Sequence, residues 1–183
     1  PISLNPFLFL RNLFALLVFV GIGIAVYRRF VQKAPRFFTN AMDRYALILL
    51  AVIMLSGVLL EAAKIGSFER YFLMVTDYAD SDDAQDLKAL EAYWVAHYGV
   101  VSPNVSGPFE AELLDRGRDL HETSCAACHS RPQWAFISYA GAAALRPVAV
   151  FLDRDGMVAL VLYVHFLAGF VVLAYLRFTR MFH

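Results

Sequence analysis

The sequence predicts an all-α integral membrane protein with three transmembrane helices and a mostly helical segment inserted between the second and third. Three observations predict it. Hydrophobic residues make up 60% of the 183-residue chain, and the mean hydropathy of +0.55 is high for a soluble domain. The zero formal net charge hides a segregation: Ile65 to Asp155 holds 14 Asp/Glu against 7 Lys/Arg, and the remainder holds 2 against 9. The only two cysteines lie inside the acidic block, in Cys125-Ala126-Ala127-Cys128-His129. This organises the chain as two crossings with a basic connector (1–64), an external segment (65–155) and a last crossing (156–183).

Pro6 to Tyr27 is apolar except for Arg11 and Asn12. At ~1.5 Å per residue it can cross a ~30 Å hydrocarbon layer. A cleavable signal peptide is the competing reading, but no A-x-A-like site follows, so a retained helix is expected. Arg28, Arg29, Lys33, Arg36 and Arg44 crowd the connector, and Pro35 breaks the helix there. A second apolar run, Tyr45 to Leu60, ends at Glu61. The basic connector is cytoplasmic by the positive-inside rule, which delivers the acidic block to the other side. The third run, Met157 to Leu176, contains His165 and is followed by Arg177 and Arg180, which returns the C-terminus to the cytoplasm. The chain opens on Pro1. Either an initiator Met was trimmed or a longer chain precedes it.

C-x-x-C-H is the attachment signature of a c-type haem. Two thiols add across the vinyl groups, and the adjacent His supplies an imidazole to iron. A disulfide across two residues would be strained, and a zinc site needs a further ligand nearby. A zinc site and a redox dithiol are the remaining alternatives. Haem is attached to this motif outside the cytoplasm in bacteria, so an inner-membrane protein with a periplasmic cytochrome c insert is expected. That agrees with the topology read from charge alone.

Within the insert, Ser81-Asp82-Asp83 caps a helix reaching about Tyr98 and stopped by Gly99. Leu87, Leu90, Trp94 and His97 recur at helical spacing, so His97 is expected on the core face. A loop marked by Pro103 and Gly107-Pro108 precedes a second helix, which opens with Glu110 and Glu112 and runs through Gly117 into the motif. A small residue about two turns ahead of C-x-x-C-H resembles the opening helix of class I cytochromes c. That likeness covers some 20 residues, with no matching closing helix. Trp134 to Leu145 is apolar but interrupted by Gly141, Arg146 and Pro147, too broken to span. It is expected to cover the haem edge or to lie on the membrane surface. His129 takes one face of the haem c iron. His97, Met74, Met157 and His121 are candidates for the other, and His97 is preferred because it comes from a separate helix.

His165 and His183 are 18 residues apart, about five full turns, so they share a helix face and lie ~27 Å apart along the axis. That spacing suits two stacked b-type haems, with each imidazole an axial ligand. A satisfied intramembrane His165 and an ordinary terminal His183 are the alternative. The stretch His165 to His183 resembles the final helix of the respiratory nitrate reductase gamma-subunit family, whose members also serve Dsr-type and Hmc-type membrane complexes. Arg28-Arg29, Pro35-Arg36, Asp43-Arg44-Tyr45 and Ser56-Gly57 resemble its preceding helices. The likeness covers roughly residues 8 to 64 and 157 to 183. It implies that His165 and His183 ligate up to two b haems and that electrons pass between a quinone pool and partner proteins. The first two crossings contain no His. The partner ligands must therefore come from beyond these residues, or the b haems are absent.

The expected function is an electron-transfer subunit of a quinol-linked membrane oxidoreductase complex. It would join the quinone pool (menaquinone or ubiquinone), b haems and a periplasmic c haem that serves a periplasmic redox protein. The alternative is a membrane-anchored monohaem cytochrome c without haem b. Glu61 and Lys64, at the outer end of the second helix, are candidates for handling quinol protons or are interface anchors. No paired carboxylates, nucleophile triad or phosphate loop offers bond-making chemistry. Lipid and other subunits of the complex are the expected partners, and nucleic acid is not.

Overall fold

The computed structural model describes residues 5–32, 41–153 and 157–175. Among them the regular structure is helical throughout, with no strand. Helix α1 (Pro6–Val26) starts at Asn5, whose side chain accepts from the N–H groups of Phe7 and Leu8, and it runs into a π turn over Tyr27–Val31. Next come α2 (Ala41–Gly66), α3 (Phe68–Tyr78), α4 (Ala84–His97) and α5 (Ala111–Ser124). A broken run follows, made of α6 (Phe136–Leu145) and α7 (Ala149–Leu152) with a 3-10 turn before each, and α8 (Met157–Tyr175) ends the described chain.

Three helices are long and apolar enough to cross a membrane: Pro6–Val31, Arg44–Gly66 and Val158–Tyr175. They are apolar on every side, as a bilayer solvent requires, and large side chains such as Phe7, Phe14, Leu17, Phe166 and Phe170 face outward. The second begins earlier and ends later than the apolar run Tyr45 to Leu60. Helix α8 runs antiparallel to α2. Tyr45 meets Tyr175 at 5.4 Å between ring centroids, Ser56 meets His165, and Gly66 approaches Ala149. Arg28, Arg29 and Arg44 thus lie at the opposite end of the helices from Cys125. Lys33, Pro35, Arg36, Arg177, Arg180 and His183 lie outside the described residues.

The buried core sits in the segment between the second and third long helices. Tyr71, Leu90, Tyr93, Trp94, Tyr98, Val100 and Cys125 form it, with Phe68, Met74, Val75 and Leu120 against its edge. Helix α4 begins where the acidic cluster ends, because the Asp83 carboxylate accepts from Gln85 and Asp86 N–H. It stops at Tyr98, where Gly99 takes φ +83°, the left-handed conformation that favours glycine. Helix α5 crosses α4 at Gly117. A Cβ there would lie 2.1 Å from the carbonyl oxygen of Ala89, so glycine is what permits the approach. The helix packed on this glycine therefore precedes the C-x-x-C-H motif. Across the same pair, Arg116 bonds the Asp86 carboxylate. The hydroxyl of Ser81 and that guanidinium hold Asp86 below the usual carboxylate range.

Helix α3 has no counterpart in the sequence reading, and it moves Met74 off the end of the second crossing onto an element of its own. Ser67 caps it locally, and Asp153 accepts from Phe68 N–H at 2.6 Å from 85 positions away. The broken run neither spans nor lies apart. Helix α6 packs on the outer end of α2, where Gly141 meets Ala62, and on α1. Asn12 holds it there. Its side-chain oxygen accepts from Ile137 N–H at 3.1 Å and Ser138 N–H at 3.2 Å, capping α6 from another helix. Arg11 pairs with Glu61, Glu61 accepts from the Ser138 hydroxyl at 2.7 Å, and Asn5 donates to Ser130 at 3.1 Å. The polar residues of the first crossing thus bind α1 to α2 and to the external segment.

Candidate functional site

Helix α5 hands the chain directly to the motif. Cys125 is its C-cap, with its N–H on the His121 carbonyl. Cys128 and His129 then fold back, both donating to the Cys125 carbonyl, at 3.1 and 2.9 Å. This turn brings the two sulfurs and the imidazole to one end of α5. Cys125 is buried and Cys128 exposed, and both are free thiols. Burial, then Asp80 and Cys128, push the Cys125 thiol up, the opposite of what a nucleophilic dithiol needs. Partial burial pushes the His129 pKa down, which favours neutral imidazole, the form that ligates metals. Its ring meets Trp94 edge-on at 5.2 Å.

His129 opens onto a cavity of about 820 Å³, within the range of cofactor sites. Trp94, Tyr98, Tyr71 and Met74 wall it beside His129. It continues past Glu61 and Lys64 to Gly57 and His165. One chamber therefore joins the motif to the intramembrane histidine. The residues fit a haem at both ends. At the motif end the cavity is lined by the His129 imidazole and an aromatic wall, with Cys125 and Cys128 on the adjoining turn and outside the lining. At the other, His165 sits on Gly57, where a Cβ would come within 3.2 Å of the ring.

Ser56 fixes the chemistry of His165. Its hydroxyl lies 2.6 Å from the Val52 carbonyl and 3.1 Å from His165 Nδ1. The hydroxyl has one proton, and the closer carbonyl takes it, so Nδ1–H donates to Ser56 and Nε2 keeps the free lone pair. That tautomer leaves Nε2 available to a metal. His165 lies ~11 Å from Val158 and ~15 Å from Tyr175 along the axis.

His97 does not meet the expectation. It is exposed at the end of α4, lies 4.7 Å from the Tyr93 ring at a 48° tilt and does not border the cavity. Its helical angle matches Leu90 and Trp94, but the covering elements end before it. Tyr98 and Val100, just past the helix, fill the core instead. His121 is buried at 3% exposure with Nε2 on the Tyr98 hydroxyl at 2.7 Å, and it does not border the cavity either. Burial, with His129 and Arg131, lowers its pKa to about 4. Met74 does border the cavity. The side chain of Met157 is outside the described residues.

Glu61 is engaged by Arg11 and Ser138, while Lys64 is exposed on the cavity wall. Sequence reasoning missed Asn12, Ser138 and Ser56 as site-building residues. A lone Asn in an apolar run was the available signal. Among the described residues no group of three or more His, Cys, Asp or Glu is gathered in a metal-binding cluster. Compared with known proteins, the chain matches no family model, no curated protein and no solved structure.

Proposed function

We propose that this chain is an electron-transfer subunit of a quinol-linked complex in the bacterial inner membrane, with its C-x-x-C-H segment in the periplasm. The observation that carries the reading is the single cavity bordered by both His129 and His165. Bound haem supplies one-electron chemistry there. Cys125 and Cys128 would hold a c-type haem through thioethers, with His129 as one axial ligand and Met74, rather than His97, as the other. His165 would offer Nε2 to a b-type haem. His183, outside the described residues, retains its role only through the resemblance. The partner ligands come from another subunit or from more chain than these 183 residues. Tyr71, Trp94 and Tyr98 would wall the haem beside His129, and the Arg11–Glu61 pair joins the first and second long helices at the cavity. A menaquinone or ubiquinone head group would meet the wall near Lys64, with Glu61 fixed by its two partners. A periplasmic redox protein would exchange electrons at the motif end, where Cys128 is exposed.

The test is a pyridine haemochrome spectrum of the intact complex, with His165→Ala alongside. Both c- and b-type bands are expected, and the variant should lose b-type absorbance with the c band intact. A c-type band alone in the wild type would mean a membrane-anchored monohaem cytochrome c instead. Met74→His should retain haem c and lower its potential, because Met/His ligation raises it. His97→Met should leave that potential where it is.

A further inference from the structure

A buried tyrosine and a buried histidine share a hydrogen bond that packing alone does not require. The Tyr98 hydroxyl lies 2.7 Å from His121 Nε2, and the two residues are only 6% and 3% exposed. Their surroundings fix the proton. His121 Nδ1 is buried and has no hydrogen-bond partner among the described residues. With the ring proton on Nε2, both the Nδ1 lone pair and the phenolic proton would go unserved. With it on Nδ1, only that N–H does, so Tyr98 donates to Nε2. Burial, then Tyr93, pushes the Tyr98 phenol up, while burial, then His129 and Arg131, lowers the His121 pKa to about 4. The pair therefore rests as neutral phenol and neutral imidazole. It leaves one buried N–H unpaired at about 1–3 kcal/mol, which an apolar pair of the same shape would avoid. The pair also ends a path of rings that starts at the motif. His129 meets Trp94 edge-on at 5.2 Å, and Trp94 stacks on Tyr98 at 4.4 Å and 26°. An electron can leave Tyr98 through two ring contacts, while its proton has an acceptor already within hydrogen-bond reach.

We propose that Tyr98 is redox-active: it yields an electron through Trp94 to the haem at His129 when hydrogen peroxide is reduced there, and its phenolic proton passes to His121 Nε2. The assignment rests on the haem c reading above. Hydrogen peroxide takes up two electrons and two protons and becomes two waters. One electron comes from ferrous iron as it becomes ferric, the other from Tyr98, and both protons come from solvent. Tyr98 is left as a neutral phenoxyl radical hydrogen-bonded to the His121 imidazolium. An electron returning through the haem and the proton returning from Nε2 restore the pair. The oxidising equivalent is thereby held on one buried ring instead of on the Met74 thioether at the cavity wall.

The experiment uses the full complex with haem c reduced by ascorbate and the ascorbate then removed. It is mixed with hydrogen peroxide and freeze-quenched for electron paramagnetic resonance, with the haem c absorption followed in parallel. Wild type should give a tyrosyl signal whose hyperfine pattern collapses when the cells are fed ring-deuterated tyrosine. In D2O that radical should show an exchangeable deuteron coupled at its oxygen. Tyr98→Phe should lose the signal with covalent haem retained, and Trp94→Phe should slow its appearance. His121→Gln accepts a hydrogen bond but holds no proton, so radical formation should slow about a hundredfold, the lower end of what a positioned base contributes. Tyr78→Phe, which changes an exposed tyrosine off the path, should leave the signal unchanged. An undiminished signal in Tyr98→Phe overturns the proposal, as does a wild-type radical without the exchangeable deuteron. So does ferrous haem c that peroxide leaves unchanged, or that it oxidises without a tyrosyl radical. Should Tyr98→Phe fail to hold haem, the wild-type deuteron coupling and the His121→Gln rate decide. Wild-type protein without covalent haem overturns the haem c reading instead.

Discussion

Gly117→Ala is the sharpest perturbation the fold offers. A Cβ at this position would stand 2.1 Å from the Ala89 carbonyl oxygen, 2.7 Å from its carbon and 2.8 Å from Tyr93 Cβ. These lie more than about 0.7 Å inside ordinary contact, and two of the three atoms are backbone, so no rotamer relieves them. Helices α4 and α5 must part by about 1 Å, which forfeits roughly a quarter to a half of the dispersion energy along the crossing. Overpacking costs about 1–3 kcal/mol, and obstacles that are backbone rather than side chain put this site at the upper end, about 2–3 kcal/mol. The better helix propensity of Ala returns ~1 kcal/mol, leaving a net loss of roughly 1–2 kcal/mol. For a segment of this size that lowers the melting temperature by roughly 5–15 °C. Both tryptophans of the chain, Trp94 and Trp134, lie in the external segment, so intrinsic fluorescence reports its melting. Gly23→Ala and Gly169→Ala, where nothing lies within 4 Å, should show no loss. Ala89→Gly should not rescue Gly117→Ala, because the obstacle is a carbonyl. Equal melting of Gly117→Ala and wild type would refute the close crossing.

Ser56→Ala removes the acceptor of His165 Nδ1–H. In the complex this should weaken the ligand's basicity and raise the potential of the b-type haem, while Ser56→Thr, which keeps a hydroxyl, should restore it. An unchanged b-type potential in Ser56→Ala would remove the tautomer argument. His121 predicts a pH dependence. Its folded pKa of about 4 lies below the ordinary 6.5, so the unfolded chain binds the proton first as pH falls. Its contribution is complete above pH 6.5 and is lost toward pH 4, at about 1.4 kcal/mol per pH unit where only the unfolded state is protonated. His121→Gln should flatten melting temperature against pH in that window, and equal slopes would show that His121 is not the group responsible.

The external helices were legible wherever the chain carries its own caps. Asp83 and Gly99 bound α4, and Glu110 starts α5 close to where the charges said it would. The three long apolar helices were legible from composition alone. What was not legible depends on partners distant in sequence. Helix α3 is short and abuts α2, and half of its cap comes from Asp153. Yet Ser67, Glu69 and the spacing of Phe68, Tyr71 and Val75 carried a usable signal. Periodicity put His97 at the right angle, but it cannot say where neighbouring elements stop covering a helix. The cavity common to His129 and His165 depends on the register of α2 against α8, set where Gly57 admits the His165 ring. No local pattern encodes that register.

The clasp between α1 and the external segment imposes an order on biogenesis. Asn5 and Asn12 find their partners at Ser130, Ile137 and Ser138, more than a hundred residues later in synthesis. Until then, the Asn5 and Asn12 side chains lack those partners, which favours a loosely held helix. The segment that satisfies them begins right after His129. A cofactor that occupies the chamber would therefore enter before α6 docks on α1 and α2. Weakening the clasp through Asn12 would then lengthen the interval in which cofactor can enter, while loosening the mature subunit.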